Sequence, residues 1–543
     1  MRGPLAHTSI GRALPAVVVE VGSVAGTALL LEPDVDALAV PVAPAVPGES
    51  DLQPRAGTAD AAARYGIALA ELAERAGLTG APGEAYTVHL PHPVGRREAG
   101  GEFPWHGLAP RLVLVGVGAG TPADLRRSGA ALARATRGLR RVVTSVASEA
   151  GAQAPAAVRA FVEGYLLGAY RMPSQGAEPS PADRESQRPA GQLVLLGTDG
   201  DPRADQISVA VADASVAASA TWLVRDLANT PSSTKDPAWL AEQAVRLAEA
   251  AGLTVRVRGP KELADEGFGG ILAVGSGSAS TPRLVTVEYT PTGEEPSGGW
   301  RHVVVVGKGI TYDTGGLSIK KREAMVPMKT DMAGAAVALA TVLGAAAAGS
   351  AHRVTAVLPL AENHVGGASY RPSDVLRIYG GTTVEIANTD AEGRIVLADA
   401  LAFADARLDP DVLIDVATLT GAASIGLGRL HAALYSADPE LVAALEAASV
   451  ESGEPVWHMP LVEEYRDAVH SDVADLRHVA SDRSYGAGSI TAALFLREFV
   501  GARRWVHLDI AGPARASADK HEITEGATGF GARLLLSYLA AAG

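Results

Sequence analysis

Residues 388–400, NTDAEGRIVLADA, carry two carboxylates and a guanidinium at every second position, Asp390, Glu392 and Arg394, and then continue into an apolar run. If residues 388–394 are extended, alternate side chains face one way and these three point into the same space, with a helix beginning just after them. Two like charges so placed repel unless a cation lies between them. A solvated loop avoids that cost, and an isolated D-x-E-x-R is read that way. Two further carboxylates weigh against the loop. In HVVVVGKGITYDTGGLSIKK, Lys308 and Asp313 directly follow a strand pattern, among glycines that let the backbone approach a ligand. In MKTDMAGAA, Asp331 stands at the mouth of an Ala-rich helix, where a carboxylate is also a good helix N-cap. Asp313, Asp331, Asp390 and Glu392 together would balance the charge of two divalent ions.

The lysines point to the same place. The chain has seven Lys against 40 Arg, yet Lys308, Lys320, Lys321 and Lys329 fall within 22 residues. Arginine keeps its proton in a protein, whereas a lysine can lose it and bind a metal as a neutral amine. A basic surface loop would give the same clustering.

Positioning these residues requires an α/β framework. In the second part, LTVRVRG, RLVTVEY, HVVVVGKG, RVTAVLP, TTVEIAN, DVLIDVATLTG and RWVHLDIAG are strand candidates separated by helical patterns. That alternation predicts a largely parallel sheet covered on both faces, with ligands outside the carboxyl ends of its strands. The first 200 residues also alternate apolar strands with Ala-rich helices. The polar, Pro-rich residues 174–192 mark a surface loop, and residues 204–229 read as one long helix stopped by Pro231. We therefore expect two domains, 1–200 and 201–543, each a mostly parallel central sheet flanked by helices, with a dinuclear metal site in the second. Gly116, Gly118 and Gly120 follow a strand, but position 121 is Thr, so the dinucleotide spacing G-x-G-x-x-G fails and a plain strand-to-helix turn remains.

Composition narrows the class. The absence of cysteine excludes disulfides and thiolate chemistry and fits a reducing, cytoplasmic setting. The apolar run near the start is broken by Glu20, unlike a signal peptide, and the uncharged residues 332–351 are mostly Ala and Gly, which suits a helix buried in protein rather than in a membrane. The net charge of -14 resides almost wholly beyond residue 200, since the first 200 residues hold 18 Arg and 19 acids. An acidic second part argues against nucleic acid as its substrate.

Taken together, VGKGITYDTGGLSIK, MKTDMAGAA, NTDAEGRIVLADAL, ATLTGA and SDVADL resemble the leucyl aminopeptidase (cytosol aminopeptidase) family of metallopeptidases, from about residue 214 to the C-terminus. The first 200 residues resemble that family's macro-like N-terminal domain only in size and α/β pattern. The resemblance implies a two-metal centre with Lys308, Asp313, Asp331, Asp390 and Glu392 as ligands. Asp313 and Glu392 would bridge, Lys308 and Asp331 would complete the tighter site, and Asp390 the looser one. It implies Lys320 and Arg394 as the catalytic residues, with a bicarbonate ion held by Arg394 as general base. All-oxygen ligation plus one amine suits Mn or Zn, with Mg or Co also accepted.

The same resemblance implies hydrolysis of N-terminal residues, leucine and other apolar ones first, by attack of a metal-bridging water or hydroxide on the first peptide bond. Lys320 would stabilise the developing oxyanion. Met328, Thr418, Gly421 and the main chain of Leu419 occupy positions that line the family's apolar pocket, although Met328 serves core packing equally well. The expected partners are peptide substrates, in intracellular peptide turnover, and five further copies in a homohexamer, with no membrane. Some bacterial members also bind DNA, and the N-terminal arginines keep an additional DNA-binding, regulatory role as the alternative. A serine hydrolase is disfavoured because no G-x-S-x-G occurs. A helix-borne zinc motif fails as well, since HEITE at His521 lacks the second histidine.

Overall fold

Runs such as VVVVG and VLIDV cannot leave their branched side chains in water, and they pack best as strands covered on both faces. The computed structural model describes residues 10, 12–48, 51–91, 103–148, 154–173, 176, 180–197, 201–293, 297, 300–480 and 485–541. It divides into two compact units, Ala13–Ser219 with Ala518–Thr524, and Ala220–Ser517 with Met1–Arg12 and Glu525–Gly543. The division falls inside Ala204–Asn229, the one long helix that the sequence reading placed there.

In the first unit the strand order is Ala16–Val21, Gln192–Gly197, Arg141–Thr144, Val35–Ala43, Arg111–Gly116, Ala85–His89, with Gln53–Pro54 paired to Val35–Ala43. All neighbours along that order run parallel except the last pair. The glycine-rich turn after Arg111–Gly116 leads into the helix Pro122–Ala135, whose N-cap Thr121 accepts from Asp124 N. Part of the Pro-rich stretch read as a loop is instead a short exposed helix, Pro181–Gln187, capped by Ser180, while residues 174, 175 and 177–179 lie outside the described ones.

The second unit is built on a nine-stranded sheet. Its centre is four parallel strands in the order Arg504–Asp509, Val412–Ala417, His302–Gly307, Arg353–Asn363. Antiparallel strands Ala432–Tyr435 and Arg283–Tyr289 flank that centre, and Gly309–Asp313 adds to the far end of Arg353–Asn363. TTVEIAN does form a strand, Thr383–Glu385, but in a separate three-stranded sheet. Helices Pro237–Ala250, Ala333–Ala347 and Ala532–Ala541 form one layer, and helices Gly269–Gly275, Glu392–Phe403 and Gly488–Arg497 form the other.

Among the described residues, two helical segments, Ala204–Asn229 and Arg322–Ala347, are long and apolar enough to cross a membrane, but the apolar window of the second is 83% buried inside the protein. That burial explains its Ala and Gly content. Small residues let the helix Ala333–Ala347 come close enough for Ala335 N–H to donate to Lys308 O at 2.8 Å, just past the end of the strand His302–Gly307. At Gly334 a Cβ would run into the carbonyl oxygen of Val416 and meet Lys308 N at 2.7 Å. Gly334→Ala should therefore destabilise the chain by about 3 kcal/mol, as overpacking against rigid backbone does. Denaturant unfolding reads this directly, and a midpoint equal to wild type would refute the close approach.

Candidate metal centre

Strand ends deliver two of the charged residues singled out above, and Thr418 with them. Lys308 follows the strand His302–Gly307, Asp313 ends Gly309–Asp313, and Thr418 follows Val412–Ala417. Asp331 closes the 3-10 turn Val326–Thr330 that carries Met328, and its own amide donates to Met328 O. Asp331 does not cap the following helix, whose N-cap is Met332 with no side-chain bond. Its carboxylate turns to the site instead, accepting from Thr418 Oγ1 at 2.7 Å and lying 2.9 Å from Lys308 Nζ.

The DAEGR segment is not extended. Thr389–Ala391 is a 3-10 turn and Glu392 opens the helix Glu392–Phe403, so Arg394 lies within the first helical turn. Asn388 drives this bend, because its side chain accepts from Asp390 N at 2.9 Å and replaces a strand partner. The tight turn, not strand alternation, brings the carboxylates together. Asp313, Asp390 and Glu392 each offer an oxygen within 4.8 Å of the others.

Two lysines sit among the acids. Lys308 Nζ lies 3.1 Å from Glu392 Oε1 and donates to Thr418 O at 3.0 Å. Gly393 is required beside it, since a Cβ there would come within 2.6 Å of Lys308 Nζ. Lys320 Nζ is 2.7 Å from Asp313 and also pairs with Asp390. Lys329 is turned away to the carbonyl of Asn229, and Lys321 is exposed. Burial disfavours the charge on Lys308, but Asp331, Glu392 and Asp313 outweigh it and hold its amine above the ordinary range. Lys320 is raised the same way, chiefly by Asp313 and Glu392. Burial, then repulsion from Asp313, pushes Glu392 up to about 8. Burial raises Asp331 to about 6 against the pull of Lys308, and Asp390 is also raised by burial.

These residues fit divalent cations. Glu392 Oε2 is buried with no hydrogen-bond partner among the described residues, an acceptor that a cation would satisfy. Several carboxylate oxygens with one amine are hard to borderline donors, suited to Mn, Zn, Mg or Co. Arg394 offers the opposite character. Its Nη1 donates to His478 O at 2.6 Å, while Nε is buried without a partner among the described residues, and burial lowers its pKa to about 10.

Three residues that hold this arrangement were not legible in the sequence. Asn363, at the end of Arg353–Asn363, donates to Asp313 Oδ1 at 2.8 Å and to Thr389 O at 3.0 Å. Asp509, at the end of Arg504–Asp509, accepts from the amides of Leu419 and Thr420. His478 Nε2 lies 2.9 Å from Asn388 O, and Nδ1 lies 3.2 Å from Glu385 O and 3.3 Å from Ala387 N. Asp509 ends a strand that the sequence reading had placed, so its position was a signal, whereas Asn363 lies four residues beyond the candidate RVTAVLP. His478 carried none.

Burial, with Arg394 beside it, lowers the pKa of His478 from 6.5 to about 4. A histidine depressed on folding contributes stability that is present above the unfolded value and lost as pH falls through the folded one. The stability advantage of wild type over His478→Gln should therefore shrink by about 3 kcal/mol between pH 7 and pH 4. Paired unfolding curves at the two pH values test this, and a constant difference would exclude a neutral buried ring.

Comparison with known proteins agrees with this geometry. The family model described as "Cytosol aminopeptidase family, catalytic domain" matches residues 222–536, and the corresponding N-terminal domain model matches residues 39–174. The probable cytosol aminopeptidase of Streptomyces coelicolor is 40% identical over 533 residues, spanning 94% of this chain and 96% of that protein. Among solved structures, the bottromycin maturation enzyme BotP in complex with Mn is 34% identical, with TM-score 0.76 over 94% of this chain and 99% of that one. A variant of tomato leucine aminopeptidase gives TM-score 0.80 at 26% identity, over 99% of this chain and 100% of that one. With both domain models matched in order and relatives aligned along nearly its whole length, the chain belongs to the cytosol aminopeptidase family and is a metal-dependent aminopeptidase.

Proposed function

We propose that the enzyme removes leucine and other apolar residues from the amino ends of peptides, in intracellular peptide turnover, with two divalent ions, Mn or Zn before Mg or Co. Lys308, Asp313, Asp331, Asp390 and Glu392 are the assigned ligands. The observation that carries this reading is their clustering about Glu392, whose buried Oε2 has no hydrogen-bond partner among the described residues. When bound, such a pair polarises a carbonyl group and lowers the pKa of a water from ~15.7 towards neutrality.

The chain's own residues supply the rest. Lys320, held above its ordinary pKa, stays charged and offers its ammonium to the oxygen on which negative charge develops. Arg394 cannot serve as a base, because a guanidinium keeps its proton. Its unpartnered buried Nε suits a small anion such as bicarbonate, and that anion would take the proton from the attacking water. Met328, Thr418, Gly421 and the main chain of Leu419 are the assigned wall for the first side chain. The bond from Thr418 to Asp331 supports this, since it ties that wall to the acidic cluster.

Purified protein should hydrolyse leucine anilide in Mn or Zn faster than anilides of charged residues, and a chelator should abolish turnover. Turnover that survives the chelator would overturn the metal reading. Cation binding must also displace protons from Lys308, from Glu392 at about 8 and from Asp331 at about 6. Affinity for Mn should then rise as pH increases from 6 to 8.5, by about tenfold per unit for each proton displaced. Calorimetry in buffers of different ionisation heat measures both the affinity and the protons released. A pH-independent affinity would sink this assignment of ligands.

A further inference from the structure

Asp509 lies at the carboxyl end of a central strand, where the sheet presents its ligand site, yet it is assigned as neither ligand, catalytic residue nor pocket wall. Its carboxylate is 1% exposed and accepts from four uncharged donors. Oδ1 takes Leu419 N and Ala511 N, each at 3.1 Å, while Oδ2 takes Thr420 N at 3.0 Å and Thr420 Oγ1 at 2.6 Å. The register explains the reach: Ala417 pairs with Asp509, and the segment after Ala417 leaves its strand beside that carboxylate.

The segment is tied from both sides. On one side, Thr418 Oγ1 donates to Asp331 and Thr418 O accepts from Lys308. On the other, Thr420 donates to Asp509 and accepts from Ala423 N, capping the helix Gly421–Leu427. Leu419 is held between these anchors, with its own amide on Asp509. Its backbone therefore has one position relative to the acidic cluster, and Asp509 sets it.

We propose that Asp509 is a specificity-determining positioning residue, which touches no substrate and fixes the Leu419–Thr420 backbone against which the first residue of the peptide is read. This rests on the assignment of Thr418, Leu419 and Gly421 to the pocket wall. Freed from Asp509, the segment keeps its tie to Asp331 but loses its fixed distance from the cluster, so discrimination between large and small first residues falls while the chemistry remains.

The test uses the full-length, metal-loaded enzyme with leucine and alanine anilides, measuring kcat, KM and bound metal per chain. In Asp509→Asn an amide NH2 meets an N–H donor and leaves at least one hydrogen bond broken. KM for leucine anilide should rise about tenfold, the cost of a lost bond to a charged acceptor, with kcat within about twofold and metal content unchanged. The leucine-to-alanine preference should fall with it. Thr420→Val removes one of the same bonds and should move KM in the same direction, and Thr420→Ser keeps the hydroxyl and should restore the wild-type preference. If Asp509→Asn does not fold, the Thr420 pair decides. A wild-type leucine-to-alanine ratio in these variants overturns the proposal, as does an equal loss for both substrates with loss of metal, the mark of a merely structural role. Met328→Ala separates the two layers of inference. If it leaves the preference untouched, the pocket assignment fails; if it shifts the preference while Asp509→Asn and Thr420→Val do not, only the role of Asp509 fails.

Discussion

Four carboxylates beside one another at the carboxyl ends of a mostly parallel sheet, three of them buried and Asp390 partly so, repel, and most of the surrounding structure answers that repulsion. Burial and mutual charge raise Glu392 to about 8 and Asp331 to about 6, so the cluster holds protons where free acids would be ionised. Lys308 and Lys320 offset part of the charge through their contacts with Asp331, Glu392, Asp313 and Asp390. A bound divalent ion would compete with protons and with the lysine ammonium groups for the same oxygens. On the proposed assignment, the carboxylates that hold the proton of Lys308 would become ligands of the cation, leaving the amine free to become one too.

Such a cluster is useful only if its members cannot move apart, and uncharged bonds behind it provide that rigidity. Asn363 fixes Asp313 and also reaches Thr389 O, joining the end of one strand to the turn before Glu392. His478 anchors that turn from the other side, with its ring on Asn388 O and Ala387 N and its carbonyl on Arg394. Small residues do the rest by bringing backbones together: Gly334 seats its helix against Lys308 N, and Gly393 leaves room for the Lys308 side chain. These are constraints on shape, so they act whichever divalent ion is bound.

The sequence made the strands legible because Val- and Ile-rich runs between Ala-rich helical stretches have few other ways to bury their side chains. The acidic residues were legible for a related reason, since charges at predicted strand ends stand where an α/β sheet collects ligands. What escaped was the local geometry. An alternating D-x-E-x-R suggests a strand, but Asn388 bonding to Asp390 N bends the chain into a 3-10 turn, and a turn of that kind depends on one side-chain bond that periodicity does not reveal. Asp331 looked like a helix cap, yet Thr418 and Lys308 take its carboxylate from almost ninety residues away and from the preceding strand, respectively. His478 and Asp509 act through contacts that cross from one element to another, which no single stretch of sequence contains.

The scarcity of lysine acquires a physical meaning in this setting. Lys235 is fully buried and donates to three backbone carbonyls, Leu227 O at 2.9 Å, Ala228 O at 3.0 Å and Lys329 O at 2.5 Å. An ammonium presents three donors from one point, whereas a guanidinium spreads five over a rigid plane that such a small carbonyl trio cannot accept. The same geometry recurs at Lys308, which reaches Asp331, Glu392 and Thr418 O from a single nitrogen beside Gly393. At Lys235 and Lys308, in a chain that mostly uses arginine for its cations, the site needs compact donors on one nitrogen, and on the proposed ligand assignment the proton of Lys308 would also be removable.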